Sequence, residues 1–305
     1  MATHRRPRAA AGTFNRAYPP QAGRPRPHDR TGWDHPRSRA GRSINQPQGE
    51  PVTRSGLLTK DRFAPVVPVH APGYLPARTV DFSDVDMLSI TYRTDFDTAA
   101  QIVPDAMELD DEPLVTLSFI SYGVSGAGSY REMLQSIACR HQGQPVGYVP
   151  HIFVTNEPAM LAGREWLGWP KMLADISFST QTTSMDGVLT ARLERPAGVE
   201  LAVSQFVPAQ RLDDDMLATG GDNVTMNLRV IPAAVPGEPP SIVELVPSTM
   251  TALSGELWTG HGSVRLTGAS EFVPLHRLPV VKTTSAMLIR NARLRLTAPT
   301  QTYPL

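Results

Sequence analysis

Apolar and small polar residues alternate with a period of two in the stretch Leu114-Val-Thr-Leu-Ser-Phe-Ile-Ser-Tyr122, and Met87, Ile90 and Tyr92 lie in a second β-rich stretch. A period of two is the spacing of a half-buried strand, because successive side chains point to opposite faces of a sheet. Similar short runs occur at 149–154, 174–179, 188–194, 199–206, 225–231, 241–246, 250–258, 262–267 and 284–296, punctuated by turn residues. Many short strands joined by Gly- and Pro-containing connections predict a mainly β (α+β) fold, an antiparallel sandwich or closed, barrel-like sheet, rather than βαβ units. Two short helices are predicted. One covers 95–103, where Asp95 caps the run from Thr98 to Ile102; the other covers 157–164, where Asn156 caps and Pro158 suits a first turn.

The first fifty residues depart from this pattern. They carry ten arginines against Asp29, Asp34 and Glu50, a charge of +7 that the remainder balances at −7, so the formal net charge is zero. Rich in Pro and Gly and without apolar periodicity, the segment cannot bury enough surface to offset the entropy of ordering. Residues 1–51 are therefore expected to be a disordered basic tail before a domain at 52–305. The tail has neither the interleaved aromatics nor the repeat of a nucleic-acid-binding arm, and its prolines oppose the amphipathic helix of a transit peptide. A translation start at Val52 would remove it altogether. Deleting residues 1–51 is expected to leave melting temperature and turnover nearly unchanged, and a large fall in either would show that the tail is structural. No apolar run approaches the ~18 residues that span a bilayer. The single cysteine, Cys139, excludes an intrachain disulfide. A cytoplasmic protein with neither membrane nor nucleic-acid partner is the expectation.

Several chemistries fit poorly. Gly123-Val-Ser-Gly-Ala-Gly128 has neither the spacing of a dinucleotide fingerprint nor a following helix, and Ser125 within it is not on a nucleophile elbow. Cys139, His141 and His151 lack a fourth ligand and a zinc spacing, so no metal and no cofactor are expected. Asp110-Asp111-Glu112 and Asp213-Asp214-Asp215 read as solvated turns, whereas Glu132, followed by Met133 and Leu134, is placed where a carboxylate can face inward.

Lysine is the informative residue type. The chain has three lysines against 26 arginines, and Lys171 stands in its most apolar stretch, Trp166-Leu-Gly-Trp-Pro-Lys-Met-Leu173. An ammonium resists removal from water, and its desolvation favours the neutral amine, which is a nucleophile. Trp166, Trp169 and Met172 are the residues expected to exclude water from it. A carboxylate beside the amine would oppose that effect, so Glu132 is expected to be protonated or held at some distance.

From Asp81 onward the chain resembles the acetoacetate decarboxylase family. The resemblance is carried by Tyr92-Arg-Thr-Asp-Phe-Asp97, Val103-Pro104, Leu109 to Val115, Tyr130-Arg-Glu132, Asn156-Glu-Pro-Ala159 and Gly163-Arg-Glu165. It continues through Pro170-Lys171, Leu228 to Pro232, Glu244-Leu245, Trp258-Thr-Gly260 and Leu278-Pro-Val280. It implies the mainly β fold of that family, a homo-oligomer, and a Schiff base between Lys171 and a small oxo acid, with Glu132 handling protons. Tyr130, Arg164, Glu165, Trp169, Met172 and Trp258 are the implied pocket residues. The family pattern has a second lysine where Met172 stands and an arginine where Val85 stands. The resemblance implies decarboxylation of a β-keto acid, with aldolase–dehydratase or cyclase action on a 2-oxo acid as an alternative, and a non-catalytic relative that binds an apolar ligand as another.

Overall fold

The alternation at 114–122 becomes a strand whose two faces are both covered, Val115, Leu117 and Phe119 on one side and Ile120 and Tyr122 on the other. The structure, a computed structural model, describes residues 53–179 and 187–305, so the expected tail at 1–51 lies outside the described residues. In chain order the elements are β1 (Thr79–Arg93), α1 (Phe96–Ala100), β2 (Leu114–Val124), β3 (Tyr130–His141), β4 (Gln144–Val154), α2 (Glu157–Leu167), β5 (Lys171–Leu173) and β6 (Asp175–Phe178). They continue with β7 (Leu189–Glu194), β8 (Glu200–Arg211), α3 (Asp214–Thr219), β9 (Asn223–Ile231), β10 (Ile242–Leu266), β11 (Lys282–Thr297) and β12 (Tyr303–Pro304).

The strands form one sheet that closes on itself. Its order is β11-β1-β2-β3-β4-β9-β10, and β10 pairs with β11 again to complete a ring. From β10 the sheet continues outward through β8, β7 and β6, while β5 adds to β4 and β12 to β10. Among the described residues the pairings are antiparallel except β4 with β5 and β4 with β9. Among the described residues no helix is long and apolar enough to cross a membrane.

Two differences from the sequence reading have physical causes. The runs at 241–246, 250–258 and 262–267 belong to one 25-residue strand, β10, which pairs first with β9, then with β11, then with β8. Gly255, inside the predicted run 250–258, lies at a slip of register between Ala252 and Glu256 with φ 152°, and a Cβ there would come within 2.9 Å of the Ala292 Cβ. The second difference is β3, whose polar residues fall on both faces, Glu132 on one and Gln135 on the other, and so blur the alternation.

That alternation separates two apolar cores. Leu88, Ile90, Phe119, Met133, Phe153 and Phe206 pack on one face. Phe82, Val85, Tyr122, Tyr130 and Val154 pack on the other, beneath Ala159 and Leu167 of α2. The first core encloses a polar chain. His151 Nδ1 lies 2.9 Å from Gln135 Oε1, the Gln135 amide donates to the Tyr92 hydroxyl at 2.8 Å, and that hydroxyl donates to the Leu278 carbonyl. Burial pushes the His151 imidazole down to about 4 from its ordinary 6.5. The unfolded chain therefore binds a proton that the folded one refuses between those values, and stability should fall as pH drops from about 6.5 to about 4, by on the order of 3 kcal/mol in all. Urea unfolding across this range should show a shallower pH slope for His151→Gln, and identical slopes would refute the assignment.

Candidate active site

Lys171 reaches its position because a helix ends abruptly before it. In α2 the Asn156 side chain accepts from the Ala159 N–H at 3.1 Å, and the helix stops at Gly168 in the left-handed conformation, φ 71°. A side chain at 168 would also meet Arg229 of β9, with a Cβ only 2.7 Å from its Cβ, so glycine is required twice over. Trp169 and Pro170 then carry the chain into β5, where Lys171 is cross-strand from Ile152 of β4. On the other side of β4, Val154 faces Glu132 of β3. Lys171 and Glu132 thus project onto the same face of the sheet from strands on either side of β4.

They meet there in a buried pair. Lys171 Nζ lies 2.7 Å from Glu132 Oε2, and both residues are under 5% exposed. Tyr122 donates to Glu132 Oε1 at 3.3 Å. Burial, and then the Glu132 charge, push the Tyr122 and Tyr130 phenols well above their ordinary range, so both stay protonated at any working pH. The ammonium is 4.7 Å from the Trp169 ring centroid and 5.9 Å from that of Tyr130, within the range of cation–π attraction. Amine and carboxylate are therefore in contact, so of the two arrangements expected for Glu132, protonated or held at some distance, the second is corrected.

Above the pair is a cavity of about 180 Å³. Its walls include Val80, Phe82, Tyr130, Trp166, Trp169 and Leu296, with Lys171 at its surface. The loop at 125–127, part of the glycine-rich segment, and the strap Gly73–Leu75 also line it. The Tyr74 hydroxyl donates to Glu165 Oε2 at 2.9 Å, so Glu165 ties the strap to α2 and does not itself line the cavity.

Other expected pocket residues lie elsewhere. Met172 is one residue on from Lys171 in a strand, so it points the opposite way and packs on the first core, against the expectation that it shields the amine. Trp258 also packs on the first core, because the register slip between Ala252 and Glu256 reverses which face of β10 its side chains take. Arg164 is exposed and donates to the Lys171 carbonyl at 3.1 Å, holding the backbone of β5 from outside the cavity.

The residue that sequence reading passed over is Gly163. It faces the lysine stem so closely that a Cβ there would lie 2.5 Å from Lys171 Cδ and 2.8 Å from Cε. A glycine inside a helix at a cost of ~1 kcal/mol relative to alanine was the available signal. Gly163→Ala is expected to improve helix propensity yet displace Nζ, and a shift of ~1 Å in a reacting atom costs on the order of 100-fold in rate. Turnover unchanged in this variant, measured beside its melting temperature, would show that the stem has room to move.

Comparison with known proteins supplies the family. The acetoacetate decarboxylase family model matches residues 66–302, and the chain belongs to that family. It is a lyase of the acetoacetate decarboxylase-like superfamily. Decarboxylase DEC1 of Cochliobolus heterostrophus is 33% identical over 246 residues, 79% of this chain and 95% of that protein. Acetoacetate decarboxylase of Burkholderia mallei is 32% identical over 222 residues, 72% of this chain and 87% of the relative. A solved acetoacetate decarboxylase structure shares the fold with TM-score 0.69 and 24% identity, covering 81% of this chain and 98% of its own. The enduracididine biosynthesis enzyme MppR does so with TM-score 0.66 and 17% identity, covering 83% and 99%.

Proposed function

We propose that Lys171 forms a Schiff base with a small oxo acid and that the reaction is decarboxylation of a β-keto acid. The observation that carries this reading is the buried contact of Glu132 with Lys171 Nζ, the lysine lying at the surface of a largely apolar cavity. Transfer of one proton across the 2.7 Å contact turns the ion pair into a free amine and a carboxylic acid. In a site shielded from water, the neutral pair avoids the desolvation of two charges. The amine adds to the keto carbon, water leaves, and a protonated imine forms. The bond to the carboxylate then breaks, its electron pair moves into the imine as carbon dioxide departs, and an enamine remains. Glu132, which gave its proton to the departing water when the imine formed, takes up one from solvent and delivers it to the enamine carbon, and a second water then releases the ketone and the lysine.

The same pair can remove a proton beside the imine carbon, and the resulting enamine can attack an aldehyde. This second reading, aldolase–dehydratase or cyclase action on a 2-oxo acid, is supported by the fold neighbour MppR, solved with the condensation product of pyruvate and imidazole 4-carboxaldehyde. Borohydride reduction in the presence of acetoacetate or pyruvate, followed by intact-mass measurement, tests the shared intermediate. Carbon dioxide release separates the two reactions. Absence of a reducible adduct with either acid would end both readings.

A further inference from the structure

We propose that the Tyr130 hydroxyl holds the carboxylate of the substrate, as a neutral donor in a site that has no cation to spare. The inference rests on the reaction proposed above and names the group that seats the acid beside Lys171.

Size and charge are the first observation. A cavity of ~150 Å³ holds benzene, so the cavity here, about 180 Å³, is filled by a small β-keto acid, and the carboxylate of that acid must lie against a wall. Among the described residues lining the cavity, Lys171 alone is charged, and Glu132 at 2.7 Å already matches it. The pair is neutral overall whichever partner holds the proton. Burying a carboxylate without a partner is unfavourable, so a neutral donor on the wall is called for.

The hydroxyl groups are the second observation. Among the described residues lining the cavity, Tyr74, Ser125 and Tyr130 carry one. Tyr74 donates to Glu165 Oε2 at 2.9 Å, and Ser125 donates to the Gly128 carbonyl at 2.6 Å. The Tyr130 hydroxyl has no hydrogen-bond partner among the described residues, yet it is not shut away from open space as the Trp169 indole N–H is. Tyr130 is itself buried, so the space its oxygen meets is the cavity. Buried polar groups are nearly always paired, and this one is left to find its partner in a bound molecule.

Its position is the third. The Tyr130 ring centroid is 5.9 Å from Lys171 Nζ, and a β-keto acid joined to Nζ through its keto carbon carries its carboxylate one carbon further on, within the reach of that ring. Tyr122 is stacked on the ring with centroids 4.6 Å apart, so the donor is set in place before the acid arrives. Burial, and then the Glu132 charge, keep the phenol protonated and able to donate. A neutral donor also holds the carboxylate less firmly than a cation would, and less binding is lost when the charge departs with carbon dioxide.

Tyr130→Phe in the full chain removes the oxygen alone. Expected is a fall in kcat/KM for carbon dioxide release from acetoacetate of about 10–100-fold, the worth of a hydrogen bond to a charged group. Half-saturation for borohydride fixing of acetone, which has the carbonyl but no carboxylate, should not change. Equal losses with both compounds, or with neither, overturn the inference. The melting temperature should match the parent's, and a large fall would reveal a partner within the chain and overturn it too. Trp166→Phe removes the N–H of another wall residue, and a loss with acetoacetate in this variant but not in Tyr130→Phe would move the carboxylate to Trp166 and overturn the inference. Binding of β-hydroxybutyrate, which has the carboxylate but no keto carbon, read by tryptophan fluorescence, separates the inference from the reaction. Weaker binding in Tyr130→Phe beside a parent that releases no carbon dioxide would end the decarboxylation and leave the carboxylate seat standing, whereas binding that is absent or equal in the two overturns the seat whatever the reaction.

Discussion

Lys171→Ala should abolish borohydride-reducible adduct formation and lower turnover by at least ~10⁴-fold, the scale seen when a covalent nucleophile is removed. Alanine also leaves Glu132 buried without its partner, and breaking a buried pair costs ~3–5 kcal/mol, so inactivity alone would be ambiguous. Lys171→Arg resolves this. A guanidinium keeps the positive charge beside Glu132 but stays protonated and forms no imine. The expected result is a melting temperature nearer to that of the parent than the alanine variant's, with no adduct and no turnover. Lys60→Ala and Lys282→Ala remove the other two lysines, both exposed, and should trap substrate as the parent does. An adduct that persists in either Lys171 variant would show that another amine is the nucleophile.

Periodicity made the sheet legible where one strand alternates cleanly, as at 114–122, and caps made the helix starts legible, since Asp95 accepts from the Thr98 N–H at 3.0 Å. It was less informative where a strand buries polar groups on both faces, as β3 does with Glu132 and Gln135. In β10 it was Gly260, between the predicted runs 250–258 and 262–267, that misled, because glycine there serves close approach of a neighbouring strand and not a turn. A Cβ at Gly262 would meet the Ala286 Cβ at 2.5 Å, and nothing local in the sequence reports a clash with a residue so distant along the chain. At the site, the apolar surroundings of Lys171 could be read from its neighbours, but which of them face it could not. Trp166 and Trp169 line the cavity, whereas strand alternation turns Met172 away. Contact with Glu132 depends on the pairing of β3, β4 and β5, which is a property of the closed sheet.

Glu132→Gln should separate formation of the intermediate from its turnover. The amide keeps the shape of the carboxylate and can still accept from the Tyr122 hydroxyl, but it can neither take the proton from Nζ nor return one to the enamine carbon. Tyr122 cannot replace it, because burial and then the Glu132 charge hold its phenol well above the ordinary range, and burial, the larger cause, remains when the charge is removed. The expected loss in turnover is ~10²–10⁴-fold, the usual contribution of a positioned acid–base group. Reductive trapping should survive at a lower rate, because Lys171, no longer paired with a carboxylate, can still give its proton to water, and borohydride intercepts the imine before any proton return is needed. Glu132→Asp, which restores a carboxylate on a shorter stem, should recover part of the turnover, whereas a purely structural role would show the glutamine variant, as the closer match in size, to be the more active. Turnover ordered glutamine above aspartate, or near the parent rate in both, would remove Glu132 from the proton path and require another group to protonate the enamine.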